Sequence, residues 1–350
     1  MHSLSRSRGM SADLLAGGSV PDSPAPTAGG SRLRGVLHYL GRSVLKLVLT
    51  LLAISVVVYG LVAAAGNPAH DILGMDATPE QLAAFTAAHH LDDPFPVRYT
   101  KWLWGLLHGD LGISYQSNGP VWDVIQPRIG NSLVLIVLAG LLIVLLSIPI
   151  GLLAGVRLRG RTDVVVTLIT LTVAAFPEFV IGLLLIVVFA AKLQWFPVDS
   201  TALNFGGLFD SPSAYVLPAI TVSLGSIPYL VRLMRANARE VAGETYIRSA
   251  VLRGIAEPAL SLRHVLPNAA PPIVTALGLQ LAGLVGGIIV AETLFGFPGL
   301  GQLIAKSAAS RDAPVVEALA LIIGAVFVIV NLLADAVVVM LTPKLRDRVR

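Results

Sequence analysis

Long apolar runs dominate the chain, and its polar residues are grouped between them. Six runs are long enough for a helix to cross the hydrocarbon core of a bilayer, which takes about 20 residues. They lie at 43–65, 131–156, 164–191, 215–235, 269–294 and 315–341. The pattern predicts an all-α integral membrane protein with six transmembrane helices. The fourth run is the weakest, because Pro218 and Pro228 interrupt it.

Composition supports the membrane class and excludes several kinds of chemistry. Of the 350 residues, 55% are hydrophobic and 13% are charged, with a mean hydropathy of +0.78. A soluble globular chain carries about 25% charged residues. The net charge of +4 is modest and no basic stripe is interleaved with aromatic residues, so no nucleic-acid partner is expected. The chain has no cysteine, which excludes disulfides, thiol catalysis and cysteine-based metal sites.

The distribution of basic residues predicts the orientation. Most of the 25 lysines and arginines precede the first run, follow the last, or lie between the second and third and between the fourth and fifth. Because such residues are retained on the cytoplasmic side, both termini are expected to be cytoplasmic. The predicted organisation is a disordered cytoplasmic tail, a first transmembrane helix, an external helical cap, a five-helix transmembrane core and a cytoplasmic C-terminal tail. These parts span 1–34, 35–65, 66–130, 131–341 and 342–350, and the core includes a cytoplasmic loop at 240–267.

The external cap carries clear helix signals but no recognisable reactive centre. Thr78, Pro79 and Gln81 have the spacing of a capping box with proline at the first helical position. A second helix is expected to follow Pro94. The histidines of the cap lack the spacing of a metal-binding pair, so no metal site is predicted. The whole sequence lacks a P-loop and a nucleophile-elbow motif, and no catalytic residue is expected.

Glu178 is the most unusual charge, since it lies near the middle of the third apolar run. An acidic side chain at a helix centre costs about 2.5–3.5 kcal/mol on insertion scales, so it is expected to face the bundle interior or a water-filled path. Two interpretations stay open: a residue of a translocation path or gate, or a buried polar contact with another span, with the carbonyls freed by Pro177 as one candidate partner. The pairs Gly151–Gly155 and Gly283–Gly287 have GxxxG spacing and predict close helix packing.

The segment between the fourth and fifth runs is basic and punctuated by glycine and proline. With 240–265 taken as helical, Tyr246, Ala250 and Gly254 share one face and form a shallow surface that another protein can approach. Gly254 is expected to end one short helix with positive φ, and Glu257–Pro258 to start another. Composition alone favours an amphipathic loop whose arginines reach the lipid headgroups.

The order of residues in this segment resembles the cytoplasmic coupling loop of ABC importer permeases. That signature is a Glu-Ala-Ala triplet, three residues, glycine, nine residues, isoleucine, one residue and Leu-Pro. Here Arg248–Ser249–Ala250 stands for the triplet, followed at the same spacing by Gly254, His264 and Leu266–Pro267. Arginine and histidine depart from the general pattern and are similar to the peptide-permease subgroup. Segments at 78–81, 109–114, 120–125, 292–301 and 343–347 also look like this family, and the resemblance covers about 36–347.

The resemblance implies the fold of type I ABC importer permeases and one membrane subunit of a bacterial inner-membrane importer of dipeptides or oligopeptides. It also implies a second homologous permease subunit, two ATPase subunits and an extracytoplasmic substrate-binding protein. The chain itself would bind no cofactor, since ATP and magnesium would be held by the ATPases. The implied ATPase-coupling residues are Tyr246, Arg248, Ser249, Ala250, Gly254, His264, Leu266 and Pro267. The residues expected to border the path or gate are Glu178, Glu292, Phe295, Phe297 and Pro298.

Three alternatives are discriminated by experiment. A proton-driven secondary carrier would use Glu178 and work without ATPases. A membrane scaffold would bind ATPases without transporting anything. An importer of the same family could carry nickel complexes or haem in place of peptides.

Overall fold

The structure, a computed structural model, describes residues 30–74, 76–157, 161–201 and 211–341. The predicted tails lie outside the described residues over 1–29 and 342–350. Within the described residues the helices are α1 (Gly30–Ala64), α2 (Ala69–Leu73), α3 (Pro79–Ala88), α4 (Phe95–Leu107), α5 (Val121–Val156), α6 (Arg161–Ala175), α7 (Glu178–Leu185), α8 (Ser213–Ala242), α9 (Thr245–Leu252), α10 (Glu257–Leu260), α11 (Leu266–Leu294), α12 (Leu300–Ala309) and α13 (Ala313–Leu341). The π-helical segments Ile186–Lys192 and Ser261–Val265 follow α7 and α10.

The chain forms two compact units, Met1–Arg42 and Ser43–Arg350. The first contains the beginning of α1, which is helical from Gly30. All contacts described below belong to the second unit.

The helices match the expected membrane architecture. Among the described residues, four are long and apolar enough to cross a membrane: Val44–Ala64, Val121–Val156, Ser213–Ala242 and Ala313–Leu333. Two bent pairs raise this to six if each is one span: Asp163–Ala175 with Glu178–Lys192, bent by 102°, and Glu257–Leu281 with Gly286–Leu294, bent by 54°. The all-α membrane fold is thereby confirmed. The orientation of the termini stays a prediction.

Helix α8 lies at the centre of the bundle and packs against α5, α6, α7 and α11. Among the four single-helix spans it is the most buried, although it contains two prolines: 72% of the residues in its most apolar stretch are buried. The closest approach is to α5, where a Cβ added to Gly155 would lie 2.7 Å from the Cβ of Ala238. The GxxxG prediction is therefore confirmed for Gly151–Gly155. It is wrong for Gly283, because a Cβ there would have no atom of the described residues within 4 Å.

The external cap consists of α2, α3 and α4 and the loop that leads into α5. Thr78 and Gln81 form the predicted capping box, and α4 begins directly after Pro94. The ring of Tyr59 on α1 lies within 5.6 Å of three aromatic rings on α4, measured between centroids. Helix α5 begins at Val121, so the end of the predicted cap is already part of a long helix.

Candidate functional site

The connecting segment, residues 243–265, has an anchored side and an open side. Ile247 and Ala250 of α9 are buried in a cluster with Met234 and Ala238 of α8 and with Val265. Besides these buried residues, the segment exposes large apolar side chains: Tyr246 at 45%, Val251 at 54%, Leu252 at 89% and Leu262 at 60%. Exposed apolar groups in such number mark an interaction surface, with protein or with lipid.

Local backbone chemistry divides this segment as the sequence predicts. Gly254 has a φ of +78°, which a glycine adopts at no steric cost, and its N–H donates to the carbonyl of Val251 at 2.9 Å. Helix α10 then begins at Glu257, with Pro258 in its first turn. Both predictions are confirmed.

One predicted surface is wrong in its geometry. Helix α9 ends at Leu252, so Gly254 lies beyond it and shares no helix face with Tyr246. Ala250 points into the bundle, whereas Tyr246 is exposed. The cause is the apolar contact with α8, which decides the buried side of so short a helix. The exposed apolar surface is built by Tyr246, Val251, Leu252 and Leu262 instead.

The other predicted coupling residues lie in and around the same segment. Arg248 is exposed and lines a polar cavity of about 600 Å³ together with Asp163 and Arg239. The Ser249 hydroxyl donates to the carbonyl of Thr245 at 3.0 Å. The carbonyl of His264 accepts from the Asn268 amide at 2.6 Å. Leu266 and Pro267 begin α11.

Three ion pairs fasten this end of the bundle, and sequence reasoning missed all of them. Asp163 at the start of α6 accepts two hydrogen bonds of 2.7 Å from Arg235 and one of 3.2 Å from Arg239, both on α8. Arg157 donates to Glu257 of α10 at 3.0 Å. The sequence offers one signal for the two pairs of Asp163: this residue lies at the predicted cytoplasmic end of the third apolar run, and the end of the fourth run is rich in arginine.

Four of the predicted path residues lie together at the turn between α11 and α12. Glu292, Phe295 and Phe297 are essentially inaccessible. The Glu292 carboxylate accepts hydrogen bonds from Ser132 Oγ at 2.5 Å, from the N–H of Gly301 at 2.6 Å and from the N–H of Gln302 at 3.1 Å. It therefore caps the positive end of α12 and ties it to α5.

A second set of hydrogen bonds extends this group across the bundle. The side chain of Asn131 makes both bonds: its Nδ2 donates to the main-chain carbonyl of Pro298 at 3.1 Å, and its Oδ1 accepts from the hydroxyl of Tyr215 on α8 at 2.9 Å. Asn131, Ser132 and Tyr215 were missed by sequence reasoning. Their signal was the polar pair Asn131–Ser132 at the start of an apolar run. A role for Glu292, Phe295, Phe297 and Pro298 along a path stays a prediction.

Glu178 has different surroundings from Glu292. It begins α7 just after the bend, and no described residue forms a hydrogen bond with its shielded Oε1. Its carboxylate lies beside Gly225 of α8 and Gly287 of α11. The proposed compensation for Pro177 is not formed through Oε1.

Comparisons with known proteins agree with these features. Residues 147–347 match the family described as binding-protein-dependent transport system inner membrane component, and residues 36–136 match the N-terminal part of such components. The chain is 33% identical over 312 residues to the oligopeptide transport system permease protein AppB of Bacillus subtilis, which covers 88% of this chain and 98% of that one. It is 32% identical over 284 residues to a probable peptide ABC transporter permease of Sinorhizobium fredii, covering 81% and 90%.

Two further matches extend the comparison. The glutathione transport system permease protein GsiC of Salmonella choleraesuis is 33% identical over 312 residues, covering 89% of this chain and 99% of the relative. An inward-facing structure of the MetNI methionine ABC transporter superimposes with a TM-score of 0.51 at 16% identity, covering 61% of this chain and 94% of that one. At this identity the likeness concerns the fold. The extensive family match and the sequence relatives show that the chain belongs to the inner membrane components of binding-protein-dependent transport systems, the ABC importer permeases.

Proposed function

We propose that this chain is one of two membrane subunits of an ATP-driven peptide importer, and that the connecting segment transmits the motion of an ATPase to the membrane helices. The sequence relatives named above are permeases for peptides, oligopeptides and glutathione, which supports a peptide substrate. The observation that carries the coupling role is the open apolar side of the connecting segment.

The anchored side explains how the segment would transmit force. Ile247 and Ala250 are packed against the last turns of α8, and Val265 leads directly into α11. A protein that moves α9 therefore acts on two membrane helices at once. Packed helices respond to such a load by small rigid-body shifts between discrete arrangements.

The remaining parts of the importer are assigned by the same proposal. Two ATPase subunits bind ATP and magnesium, and this chain holds neither. A second permease completes the path, and an extracytoplasmic binding protein delivers substrate to the external cap. Both termini and the connecting segment are cytoplasmic, in a bacterial inner membrane, consistent with the positions of arginine and lysine.

Replacement of Leu252 by glutamate tests the docking surface. Leu252 is 89% exposed, so the substitution leaves the packing of the chain intact. The importer is purified through a tag on this chain, and the amount of ATPase that copurifies is measured along with peptide-stimulated ATP hydrolysis. We expect at least a tenfold loss of both in Leu252→Glu. Leu73→Glu in the cap, another exposed leucine, is the control for ATPase binding and should keep the amount of ATPase that copurifies.

Gly254 supplies a second, independent test. A Cβ at this position would meet no atom of the described residues within 4 Å, so the first atom of a new side chain has room and its direct cost is the strain of the positive φ. Gly254→Trp is expected to insert into the membrane yet uncouple ATP hydrolysis from uptake. Gly254→Asn, which tolerates positive φ, is the matched control. Uptake and stimulated ATP hydrolysis at normal rates in Gly254→Trp and Leu252→Glu would contradict the proposal.

A further inference from the structure

Glu178 combines one buried carboxylate oxygen that has no bonding partner with partial exposure of its side chain. Its Oε1 is buried, and within the described part of the chain no donor lies within hydrogen-bonding distance of it. An unpaired carboxylate in an apolar setting is strongly unfavourable unless a proton or a cation neutralises it. Glu292 shows the contrast, since three donors satisfy its carboxylate.

The space around Glu178 is shaped by glycines of two other helices. A Cβ on Gly287 would lie 2.8 Å from Oε2 and 3.0 Å from Oε1, so a larger residue there would collide with the carboxylate. A Cβ on Gly225 would lie 3.7 Å from Oε2, which is ordinary contact distance. The carboxylate therefore occupies a niche between α7, α8 and α11.

The niche adjoins an open strip of the central helix. Helix α8 is mostly buried, yet Gly225 and Tyr229, one turn apart near its middle, are exposed. Phe179, next to Glu178, is also exposed. By contrast, the exposed positions of α5 between residues 133 and 141 carry the aliphatic side chains of Leu133, Val137 and Leu141, which suit lipid. The strip beside Glu178, with its glycine, tyrosine and carboxylate, suits a polar path.

We propose that the Glu178 carboxylate binds the ammonium group of a peptide as it passes through the membrane, an assignment that rests on the proposed function. A free peptide carries an α-ammonium at neutral pH, whatever its side chains. A carboxylate and an ammonium form a charge-assisted hydrogen bond, which is strengthened where water is scarce. Glu178 is thus a recognition point common to different peptides, and the exposed Gly225 beside it, which has no side chain, leaves the peptide backbone room to approach.

The chain contains no cysteine, so one introduced thiol can report on the site. Gly225→Cys is suitable, because its Cβ fits beside Glu178. The complete importer with this substitution is reconstituted in proteoliposomes. It is treated with a cationic (trimethylammonium-ethyl) or an anionic (sulfonato-ethyl) methanethiosulfonate, and modification of this chain is followed by mass spectrometry. The matched control adds Glu178→Gln, which keeps shape and removes charge.

We expect the cationic reagent to modify the introduced thiol about tenfold faster than the anionic one, and the preference to disappear with Glu178→Gln. Tri-alanine, supplied with the binding protein and ATP, should slow the modification, whereas N-acetylated tri-alanine should not. No modification at all would place Gly225 against lipid or another subunit and would overturn the proposal. A preference that survives Glu178→Gln, or equal protection by both peptides, would also overturn it.

Uptake measurements keep the test independent of the cysteine variant. With saturating binding protein, Glu178→Gln should lower the maximal rate of tri-alanine uptake at least about fivefold, and Glu178→Asp should restore part of it. An unchanged rate in Glu178→Gln would contradict the assignment. Uptake that is driven by a pH gradient without ATP, and that is lost in Glu178→Gln, would also contradict it, because Glu178 would then carry a proton. Tri-alanine uptake by the unsubstituted importer tests the proposed function itself. A failure of the proposed function can therefore be distinguished from a failure of the role assigned to Glu178.

Discussion

Asp312 and Ser114 are 198 positions apart in the sequence, yet Oδ2 of Asp312 accepts a hydrogen bond of 2.5 Å from Ser114 Oγ. Oδ1 of the same side chain accepts from the N–H of Tyr115 at 3.0 Å. Asp312 lies in the turn between α12 and α13 and is almost completely buried. The neighbouring Arg311 adds an ion pair of 2.8 Å with Asp71. The turn therefore fastens the external cap to the bundle.

Replacement of Asp312 by alanine should loosen the cap. The buried Ser114 hydroxyl and the N–H of Tyr115 would both lose their acceptor, and each such loss costs about 1–3 kcal/mol. We expect faster proteolysis between residues 66 and 120 and a lower melting temperature of the purified chain. Asp76→Ala is the control, since Asp76 is an exposed acid of the same cap. Equal protease sensitivity of the two variants would argue against the role of Asp312.

Replacement of Glu292 by alanine should destabilise the turn between α11 and α12. Three donors lose a charged acceptor in a site without access to solvent, so the cost should reach about 3 kcal/mol or more. Thermal unfolding in detergent measures the effect. Thr293→Ala is the control, because the hydroxyl of Thr293 is exposed and bonds only to the carbonyl of Ile289 in its own helix. Glu292→Gln should fall between the two, as it keeps one acceptor oxygen.

Replacement of Gly155 by alanine should force α5 away from α8. The new methyl would lie 2.7 Å from the Cβ of Ala238 and 2.7 Å from the carbonyl oxygen of Arg235, both far inside van der Waals contact. Overpacking of this kind costs about 1–3 kcal/mol. Gly130→Ala on the same helix has no atom within 4 Å and should be neutral or stabilising by up to about 1 kcal/mol. The difference between their melting temperatures checks the prediction, which fails if the two variants behave alike.

The cap should also lose stability at high pH through Tyr115. Burial raises the pKa of Tyr115 to about 12, with a smaller contribution from the nearby Glu317 carboxylate. The folded state therefore favours the neutral phenol. This contribution is complete below the unfolded value of about 10 and is lost as the pH rises from there to about 12. Absorbance at 295 nm should show a late-titrating component, and Tyr115→Phe should reduce that component by one tyrosine. An unchanged titration in Tyr115→Phe would show that another tyrosine is responsible.

Features encoded within a few residues could be predicted from the sequence. The capping box at Thr78 and the turn at Gly254 depend on neighbouring residues, and both formed as expected. The apolar runs likewise identified the long helices. The family signature lies within one short segment, and spacing alone was enough to recognise it.

Features that depend on distant partners could not be predicted. Glu178 and Glu292 both lie in apolar runs, and only the fold shows that Ser132, 160 positions away, satisfies one of them. The buried side of α9 is chosen by Met234 and Ala238, which lie on another helix. Pro177 indicates a break between α6 and α7, but the 102° angle comes from packing around it.

The ion pairs of Asp163 have a consequence for motion. Because Arg235 and Arg239 hold the first turn of α6 to α8, a tilt of α8 carries the start of α6 with it. Because α6 and α7 meet at a bend of 102° next to Pro177, a movement of α6 along its own axis would then displace α7 sideways. Spin labels on α6 and α8 should keep a constant separation during ATP turnover, while a pair on α7 and α5 should not. Constant separations for both pairs would show that no such conversion takes place.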